Sequence, residues 1–363
     1  MRQLASIQVI SKLEPIPNSD NIEVATILGW TLVVKKGEFK VNDKCVYFEI
    51  DSLLPDKTWS KFMESRGFKV KTIKLRGQIS QGLALPISNF PELKGYRLYD
   101  GRDLTSVLGI IKIGAKPQKK VSPFYNFFRR IWFNVSRQFF KTSKSNQFPT
   151  HLFPKTDETR IQSSPGFITE NIGRKFYTTE KLDGCSVSLY THNKEYGICS
   201  RNFQLDEATK YSENDTRYKI INFFMADSNK RYQKFLKTYK NLCIQGELIG
   251  EKIQGNKYSL KENDFYIYHI FDTVKKQTLP IKDALVIAND LGFKWVPILN
   301  YFEMNNTHTI KHFVDISSEK SLLNKKQERE GIVVRTIDGT KVSFKAISPK
   351  FLLKFEEDSL DDE

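Results

Sequence analysis

Short runs of apolar residues dominate the first hundred positions of the chain. Residues 7–10, 22–27, 31–34 and 46–50 are rich in β-branched and aromatic side chains, and glycine, asparagine and proline separate them. Runs of this length, bounded by turn-forming residues, are typical of short antiparallel strands. Their spacing predicts a small β-barrel, either closed or of Greek-key type.

Two basic segments belong to this predicted barrel. Residues 35–40 have the composition of a hairpin tip, and residues 72–83 are predicted to form a strand that carries Lys74 and Arg76 on one face. Cations in such positions can follow the phosphate backbone of a nucleic acid, as they do in oligonucleotide-binding barrels. An ordinary solvent-exposed strand face would show the same pattern, so both interpretations stay open here.

A second alternating pattern begins at residue 175. Apolar and polar residues alternate over residues 175–181, are interrupted at 182–184, and alternate again over residues 185–190. This pattern predicts a strand, a tight turn and a second strand, with the glycine at 184 permitting a turn that a side chain would forbid. Because Lys181 and Asp183 are two residues apart in an extended backbone, they are predicted to lie on the same face.

The remainder of the second half predicts mixed elements. Strands are predicted at residues 242–250, 264–272, 330–335 and 341–346, and helices at residues 218–239 and 282–291. The final residues, 356–363, are acidic and are predicted to be disordered.

The segment between the two halves has a composition of its own. No acidic residue occurs from Leu104 to Thr156, whereas ten Lys or Arg residues and ten aromatic residues do. Ser122 and Pro123 are suited to begin a helix, and apolar residues then recur at three- and four-residue steps. A basic helix of this kind can contact nucleic acid, pack between domains or lie on a membrane surface, and the sequence leaves these alternatives open.

These shifts in composition divide the 363 residues into four parts. We expect a barrel domain at residues 1–105, a basic aromatic linker at residues 106–152, a second domain at residues 153–355 and the acidic tail at residues 356–363. A chain of this length is expected to contain about two domains.

Charge and cysteine content indicate the kind of partner and the cellular compartment. Lys and Arg outnumber Asp and Glu by 57 to 42, a net charge of +15 at pH 7, which favours a polyanionic partner. The four cysteines form no CxxC pair, so reduced thiols without a zinc site are expected. The sequence has no long apolar run and no secretory signal, so we expect an intracellular protein, cytoplasmic or nuclear, that is not bound to a membrane.

Lys181 is the candidate nucleophile. A lysine amine beside a carboxylate can attack an electrophile once it has lost its proton. An ordinary lysine has a pKa of about 10.4, so forming the neutral amine at pH 7 costs about 4.6 kcal/mol. A divalent cation held by nearby carboxylates can offset that cost. Lys-x-Asp-Gly is a common tetrapeptide, however, and a surface hairpin is the ordinary alternative.

Six short segments follow one another along the second half of the chain. Taken singly, Glu247 would be a surface acid, Phe271 a core aromatic and Lys345 a solvated strand end. The order of the segments makes them candidates, because it resembles the six motifs of the covalent nucleotidyltransferases, which are the ATP-dependent ligases and messenger-RNA capping enzymes. The six segments are Lys181 with Asp183, residues 200–202, Glu247, residues 271–272, residues 330–331 and Lys345.

Within that superfamily the chain resembles the RNA ligases of the Naegleria type, over nearly its whole length and including residues 33–39 and 155–162. The resemblance implies an α+β protein with an N-terminal OB-like β-barrel that binds RNA. The barrel would be followed by a nucleotidyltransferase domain, ATP-grasp-like, with antiparallel sheets and flanking helices. A capping enzyme or a DNA ligase would instead place its OB domain after the Lys345 strand, where only residues 346–363 remain.

The resemblance also implies a chemistry, which is ATP-dependent sealing of RNA 3′-hydroxyl and 5′-phosphate ends through lysyl-AMP and an adenylylated 5′-end. Lys181 is the implied nucleophile, and Lys345 is implied to neutralise charge on the α-phosphate. Asp183, Glu247 and Glu330 are the implied neighbours of Mg²⁺ or Mn²⁺, cations that bind oxygen ligands.

Contacts with ATP are implied at further positions. The planar fork of Arg201 suits a ribose hydroxyl or a phosphate, the ring of Phe271 suits stacking on adenine, and Arg160 is the candidate for the β- and γ-phosphates. The full implied set for ATP is Glu180, Lys181, Arg201, Glu247, Phe271, Glu330, Lys345 and Arg160.

Three further expectations complete the interpretation. The RNA is expected to be a nicked duplex, and the protein a monomer. A capping-type guanylyltransferase and a catalytically silent RNA-binding protein are the alternative functions. They differ from an RNA ligase in the labelling of Lys181: the first takes label from GTP, and the second from neither nucleotide.

Two features of the sequence depart from the resemblance. Many relatives carry a second lysine two residues after the one that matches Lys345, but this chain has Ile347 there, and Lys350 and Lys354 are the candidate replacements. The segment from Gly250 to Lys257 resembles a phosphate-binding loop in its glycine spacing. Since it lacks the Gly-Lys-Ser/Thr ending, it is assigned no role.

Overall fold

The computed structural model describes residues 2–114, 147–206, 211–226 and 230–357. The first domain contains the strands β1 (Ala5–Pro15), β2 (Ile22–Ile27), β3 (Trp30–Lys35), β4 (Lys44–Phe48), β5 (Ser52–Leu53), β6 (Lys69–Val70), β7 (Thr72–Leu75), β8 (Gln78–Gln81), β9 (Leu83–Pro86) and β10 (Ile111–Lys112). Its 3₁₀ helices are Thr58–Arg66, Ile87–Asn89 and Pro91–Leu93.

The first domain is organised around β1. Residues 5–9 pair antiparallel with β4, whereas the rest of the strand pairs antiparallel with β2. A register shift between Ile10 and Lys12 allows one strand to serve both partners. The resulting sheet has the order β3-β2-β1-β4-β9, and the four runs of residues predicted as strands all lie in it or at its edge.

The strand β4 is buried on both faces. Cys45 and Tyr47 pack into one hydrophobic cluster, and Val46 and Phe48 pack into another. Alternate residues of a strand point to opposite faces, so β4 separates the two clusters. The second cluster also contains Leu108, so packing on this domain continues beyond the boundary predicted at residue 105.

One predicted strand is a hairpin instead. Residues 72–83 contain β7 and β8, which pair with each other around Arg76 and Gly77. The two turn residues have φ angles of 46° and 82°, as a tight two-residue hairpin turn requires. Arg76 therefore lies in the turn, and the prediction that it shares a strand face with Lys74 is wrong.

The predicted basic helix lies in residues 115–146, which are outside the described residues, as is most of the acidic tail, residues 358–363. The end of the predicted linker is described. Phe148 and Phe153 pack with Tyr190 in the second domain, so this part of the linker belongs structurally to the domain that follows.

The second domain contains the strands β11 (Lys175–Lys181), β12 (Cys185–His192), β13 (Glu195–Ser200), β14 (Leu242–Ile249), β15 (Asp264–Asp272), β16 (Gln277–Thr278), β17 (Lys294–Trp295), β18 (Ile298–Glu303), β19 (Gly331–Thr336) and β20 (Ser343–Ile347). Its helices are α1 (Phe167–Glu170), α2 (Thr216–Met225), α3 (Lys230–Thr238), α4 (Ile281–Leu291), α5 (Ile310–Ser317) and α6 (Pro349–Glu357), with 3₁₀ helices at Ile161–Ser163 and Gln254–Asn256. The single helix predicted at residues 218–239 is thus two helices, α2 and α3.

The strands of this domain form two separate sheets. One has the order β18-β11-β19-β20, and the other has the order β13-β12-β14-β15-β16, with β17 beside β15. The predicted strand, turn and strand around Lys181 are confirmed, but β11 and β12 do not pair. The turn at residues 182–184 instead carries the chain from one sheet to the other, so Lys181 lies where the two sheets meet.

Gly184 is needed for a reason other than the one predicted. Its φ is not in the left-handed region. A Cβ at this position would lie 2.4 Å from the carbonyl oxygen of Leu248 and 2.5 Å from Cγ2 of Ile249. The close approach of β14, rather than the conformation of the turn, therefore excludes a side chain.

The two domains meet along residues 160–163 and where Leu352 of α6 packs against a cluster of the first domain. Nε1 of Trp30 donates to Oγ of Ser163 at 3.3 Å, and three shorter contacts accompany it. The backbone N–H of Gly29 donates to the carbonyl oxygen of Gln162 at 2.8 Å, Nη2 of Arg160 lies 3.0 Å from Oδ2 of Asp51, and Oγ of Ser163 donates to Oε1 of Glu49 at 2.8 Å.

Candidate active site

A cavity of about 450 Å³ lies between the two sheets of the second domain. Lys181 lines it from the end of β11, Glu247 from β14 and Lys345 from β20. Arg201 lines its mouth, directly after β13. With Glu180, which also lines it, the structure brings five of the predicted site residues to one concave space, although they are spread over 166 positions of the sequence from Glu180 to Lys345.

Lys181 forms an ion pair with Glu330. Antiparallel pairing of β11 with β19 places Lys181 opposite Gly331, and the carboxylate of the preceding residue holds the ammonium through both oxygens at 2.6 Å. Burial on its own lowers the pKa of Lys181, but the charges of Glu330 and Glu247 outweigh burial and the pKa is raised. The amine is therefore protonated in this arrangement, and it must lose its proton before it can act as a nucleophile.

Two further carboxylates surround this pair. Glu247 lies opposite Ser186 of β12, and its burial, reinforced by the nearby acids Glu330 and Asp183, raises its pKa to about 8. Asp183 donates its backbone N–H to Oη of Tyr258 at 2.7 Å. Three acids that are forced together in this way create a local excess of negative charge.

That charge fits a divalent cation bound largely through water. Within the described ranges, no group of three His, Cys, Asp or Glu side chains is close enough to hold a metal ion directly. Mg²⁺ commonly retains several waters and uses only one or two carboxylates in addition to substrate phosphates. Asp183, Glu247 and Glu330 suit such a hydrated cation, although two of the three are already paired with lysines of this chain.

Lys345 lines the cavity from the same sheet as Lys181, two strands away on β20. Its backbone N–H donates to the carbonyl oxygen of Thr159 at 2.9 Å. Burial lowers the pKa of its ammonium to about 8, and the positive charges of Lys181 and Arg160 act in the same direction. A cation that is so poorly compensated by the protein is suited to an anionic ligand.

The structure does not bring Phe271 to this cavity. Phe271 packs in a core cluster with Tyr190 and Cys243 and lines a second cavity, of about 440 Å³. Tyr268 lines the first cavity instead. Phe203 also lines this cavity but is 51% exposed, so the ring of Tyr268 is the better candidate to stack on a base there, and the predicted role of Phe271 lacks structural support.

A β-bulge explains the difference. Gln245 of β14 pairs with His269, but the next residue, Gly246, pairs with Ile267, so Tyr268 is an extra residue without a partner. Such a residue is turned away from the regular alternation. Oη of Tyr268 lies 3.0 Å from Oγ1 of Thr156 and 3.2 Å from Oγ of Ser186, which fixes the ring in place.

The remaining predicted residues lie at the edge of the cavity or outside it. Arg201 is exposed and forms an ion pair with Asp157 at 2.7 Å. Glu180 lines the cavity, and its Oε2 accepts the backbone N–H of Leu322 at 2.8 Å, whereas its buried Oε1 has no hydrogen-bond partner among the residues that the structure describes. Arg160 does not line the cavity and lies at the joint between the domains, where it pairs with Asp51.

Sequence reasoning missed three residues at the site. Tyr268 was hidden by the bulge. Lys257 forms an ion pair with Asp183, and the only sequence signal for it was the Gly250–Lys257 spacing that was set aside. Arg335 lies 5.4 Å from the centre of the Tyr268 ring and pairs with Glu158 at 3.0 Å; alternation along β19 could have placed it on the cavity face.

Two family matches cover most of the chain. Residues 4–87 match an OB-fold domain, and residues 174–347 match the RNA ligase family. The first match confirms the predicted N-terminal OB domain, and the second covers Lys181, Glu247, Glu330 and Lys345. No curated protein sequence matches the chain.

Solved structures of Naegleria gruberi RNA ligase are similar to the chain over nearly its full length. The structure with PPi is 35% identical, with a TM-score of 0.80 over 98% of this chain and 100% of that chain. A variant with ATP and Mn is 36% identical, with a TM-score of 0.78 over 97% of this chain and 98% of that chain. An apo variant is 36% identical, with a TM-score of 0.79 over 98% of this chain and 99% of that chain.

The predicted α+β fold is confirmed by these matches. The four cysteines are free thiols in this structure. In the part of the chain that the structure describes, no helix is long and apolar enough to cross a membrane.

Proposed function

Because the chain belongs to the family of ATP-dependent RNA ligases, we propose that it joins the 3′-hydroxyl of one RNA end to the 5′-phosphate of another through a lysyl-AMP intermediate at Lys181. The observation that carries this proposal is the position of Lys181 in a cavity between two sheets, held by Glu330 and faced by Glu247 and Lys345. No observation favours the capping or the non-catalytic alternative.

The first step forms the covalent intermediate. Neutral Nζ of Lys181 attacks the α-phosphorus of ATP, a P–N bond forms, the bond to the β-phosphate oxygen breaks, and pyrophosphate leaves. Lys181 starts as an ammonium paired with Glu330, so it gives up a proton before or during the attack. Lys345 lines the same cavity, where its positive charge offsets the charge that develops on the α-phosphate.

Two later steps use the same site. The 5′-phosphate of RNA attacks the phosphorus of lysyl-AMP, which frees Lys181 and leaves AMP on the RNA end. A 3′-hydroxyl then attacks that 5′-phosphate, and AMP departs. Both steps again place negative phosphate charge beside Lys345, so this one cation can serve all three steps.

The adenosine part of ATP is held by groups on the cavity wall. The ring of Tyr268 offers a stacking surface, backed by the guanidinium of Arg335. The unpaired Oε1 of Glu180 is a buried acceptor that suits the amino group of adenine. Arg201, exposed beside Asp157, is free to turn to a ribose hydroxyl or a phosphate.

ATP and a divalent cation complete the site. Structures of the Naegleria gruberi enzyme contain ATP and Mn, and the carboxylates of Asp183, Glu247 and Glu330 fit a hydrated Mg²⁺ or Mn²⁺. When bound, such a cation lowers the pKa of the nearby lysine and neutralises phosphate charge. Arg160, held at the domain joint, stays a candidate for the β- and γ-phosphates only after release from Asp51.

We further propose a nicked RNA duplex as the substrate and a monomer as the active form. The net charge of +15 supports binding of a polyanion. The OB domain is docked directly beside the cleft through the joint of Arg160 with Asp51, so one duplex can contact both domains. The predicted linker helix, outside the described residues, is an additional candidate for RNA contact.

Label transfer tests the proposal. The protein is incubated with Mg²⁺ and either ATP or GTP that carries label in the α-phosphate, without RNA. Acid-stable label from ATP alone, absent in Lys181→Ala, is expected. Label from GTP would instead support the capping alternative, and no label from either nucleotide would support the binding module. Sealing of nicked RNA, compared with single-stranded RNA and an RNA–DNA hybrid, then tests the substrate.

A further inference from the structure

Lys257 is a nearly buried cation that the proposed reaction does not use. It ends the glycine-containing segment that begins at Gly250. Its Nζ forms an ion pair with Oδ2 of Asp183, and the two side chains are only 17% and 21% exposed. Lys257 is thus paired with Asp183, which is one of the three carboxylates around Lys181.

The protein holds this ammonium firmly in place. It lies 5.2 Å from the centre of the Phe351 ring and 4.5 Å from that of Phe355, both on α6. Nδ2 of Asn324 donates to the carbonyl oxygen of Lys257 at 3.2 Å. The neighbouring Tyr258 accepts the backbone N–H of Asp183. Lys257 therefore contacts the carboxylate of Asp183, and Tyr258 contacts its backbone N–H.

Lys350 and Lys354, the candidate replacements for a lysine at position 347, do not line the cavity. Lys350 is exposed at the start of α6, and Nζ of Lys354 donates to Oε1 of Gln327 at 3.3 Å. Ile347 itself lies opposite Gly331, the residue that pairs with Lys181. A positive charge therefore does reach this end of the site, but it comes from the loop before β15 and it meets Asp183.

We propose that Lys257 is a tethered cation that competes with the divalent cation for Asp183 and so sets the metal requirement of the site. This inference rests on the proposed function, because it concerns the cation that the ligase reaction uses. Lys181 releases Glu330 when its nitrogen becomes bonded to phosphorus and loses its charge. Lys257 takes part in no such step, so its charge remains beside Asp183 throughout.

The direction of the effect follows from Coulomb's law. A fixed positive charge that shares a carboxylate with a dication repels it, and partial burial limits the screening by solvent. Removing that charge while keeping the volume of the side chain must strengthen metal binding. If Lys257 instead served only to orient Asp183, its removal would weaken metal binding. Because Lys257 acts only through Asp183, it is a positioning residue rather than a catalytic residue.

The test measures binding of Mn²⁺ to the full-length protein without ATP, from the electron paramagnetic resonance signal of free Mn²⁺. Lys257→Met is expected to bind Mn²⁺ at least roughly fivefold more tightly than the wild type, and Lys257→Arg is expected to match the wild type. Lys354→Met is the matched control. Lys354 lies 5.2 Å from the same Phe355 ring and donates to an amide rather than to an acid, so its loss should leave the affinity unchanged.

A double variant locates the effect. In Asp183→Asn the gain from Lys257→Met should disappear, because the shared carboxylate is gone. The Mg²⁺ concentration for half-maximal labelling of Lys181 should fall in Lys257→Met by a similar factor. Unchanged or weaker Mn²⁺ binding in Lys257→Met, an absence of binding in every variant, or an equal gain in Lys354→Met would each overturn the inference.

The two proposals fail in distinguishable ways. A wild type that takes no label from ATP at Lys181 contradicts the proposed function, whereas Mn²⁺ binding still reports on Asp183. Normal labelling combined with unchanged Mn²⁺ affinity in Lys257→Met contradicts the role of Lys257 alone. Should Lys257→Met unfold, Lys257→Gln removes the same charge with a polar side chain of similar reach.

Discussion

The charges of individual lysines decide the chemistry of this site. Lys181 is held as an ammonium by the carboxylates around it, whereas Lys345, which has no carboxylate partner in the described structure, has its pKa lowered to about 8 by burial and by nearby cations. The two lysines line one cavity but need opposite protonation states. In the proposed reaction, Lys181 must lose its proton to attack ATP, and Lys345 must keep its proton to neutralise phosphate charge.

The lowered pKa of Lys345 predicts an alkaline limit to lysine adenylylation. The cation is present below about pH 8 and is lost as pH rises through that value; Lys181 and Arg160 lower the pKa, and Asp157 and Glu330 oppose them. The rate of label transfer to Lys181 should therefore fall above about pH 8. Lys345→Arg stays charged over this range, so its rate, although lower overall, should lack this decline. The same decline in Lys345→Arg would show that another group causes it.

Two aromatic residues that are three positions apart should respond differently to truncation. Tyr268→Leu removes the stacking surface of the cavity and should raise the KM for ATP about tenfold, which corresponds to the upper range for an aromatic pair. Phe271→Leu changes the core and should lower the free energy of unfolding by about 1 kcal/mol with little effect on KM. Steady-state labelling and denaturant unfolding measure both. A larger change in KM for Phe271→Leu than for Tyr268→Leu would restore the original sequence-based assignment.

At the scale of elements, β15 combines a bulge with a buried hydrogen-bonded histidine. His269 lies next to the extra residue of the bulge. Its Nδ1 lies 2.8 Å from Oε1 of Gln245 and its Nε2 lies 2.9 Å from Oγ1 of Thr278. Burial lowers its pKa to about 3, and the positive charges of Arg335 and Lys341 contribute. This strand therefore requires a neutral imidazole.

That requirement predicts a loss of stability in mild acid. The unfolded chain binds a proton at an ordinary histidine pKa of about 6.5, whereas the folded protein does not until about pH 3, so stability falls as pH drops below 6.5. At pH 5 this single group should cost about 2 kcal/mol relative to pH 8. His269→Gln should be less stable than the wild type at pH 8, and the difference should shrink by that amount at pH 5. The exposed His151, changed to Gln, is the control and should show no such convergence.

Local patterns predicted elements better than they predicted partners. Alternation located β11, β12, β14 and β15 within a few residues. It could not show that β11 and β12 enter different sheets, because strand pairing depends on residues far away in the sequence. The bulge that exposes Tyr268 depends on the register with β14 in the same way. The periodicity of residues 218–239 likewise fits one helix as well as two.

The order of motifs selected residues on regular strands that the structure brings together, although their roles remain a proposal. Lys181, Glu247 and Lys345 line one cavity as expected. Lys257 escaped prediction because its contact with Asp183 joins a loop to a turn 74 positions away, and no periodicity connects such segments. Arg160 carries the expected motif, yet it pairs with Asp51, a residue that no motif indicated.

At the scale of the whole molecule, a network of charged residues and one backbone hydrogen bond connects the OB domain to β20, the strand that carries Lys345. Arg2 donates to Glu49 at 2.7 Å and to Asp51 at 2.8 Å, and Asp51 also pairs with Arg160. The carbonyl oxygen of Thr159, the residue before Arg160, accepts the backbone N–H of Lys345 at 2.9 Å. Movement of one domain relative to the other therefore acts directly on the strand that carries Lys345.

A double-mutant cycle across this joint tests the docking of the domains. Arg160 is almost wholly buried, and one of its nitrogens already lacks a partner, so Asp51→Ala should lower the free energy of unfolding by about 3 kcal/mol. Arg160→Ala should cost a similar amount. Once the partner is absent, the second substitution removes only a stranded charge, so the double variant should be more stable than the sum of the single effects predicts, by at least about 1 kcal/mol.

The exposed pair of Lys44 and Asp100, within the OB domain, provides the comparison. Its atoms are 2.9 Å apart, but its side chains are 43% and 58% exposed, so its loss should cost less than about 1 kcal/mol. Additive effects at Asp51 and Arg160 would mean that the pair does not form in solution and that the domains are not held at this joint. Coupling at Asp51 and Arg160 together with slower labelling of Lys181 in Asp51→Ala would instead show that the OB domain contributes to lysine adenylylation before any RNA binds, since Thr159 and Lys345 adjoin this contact.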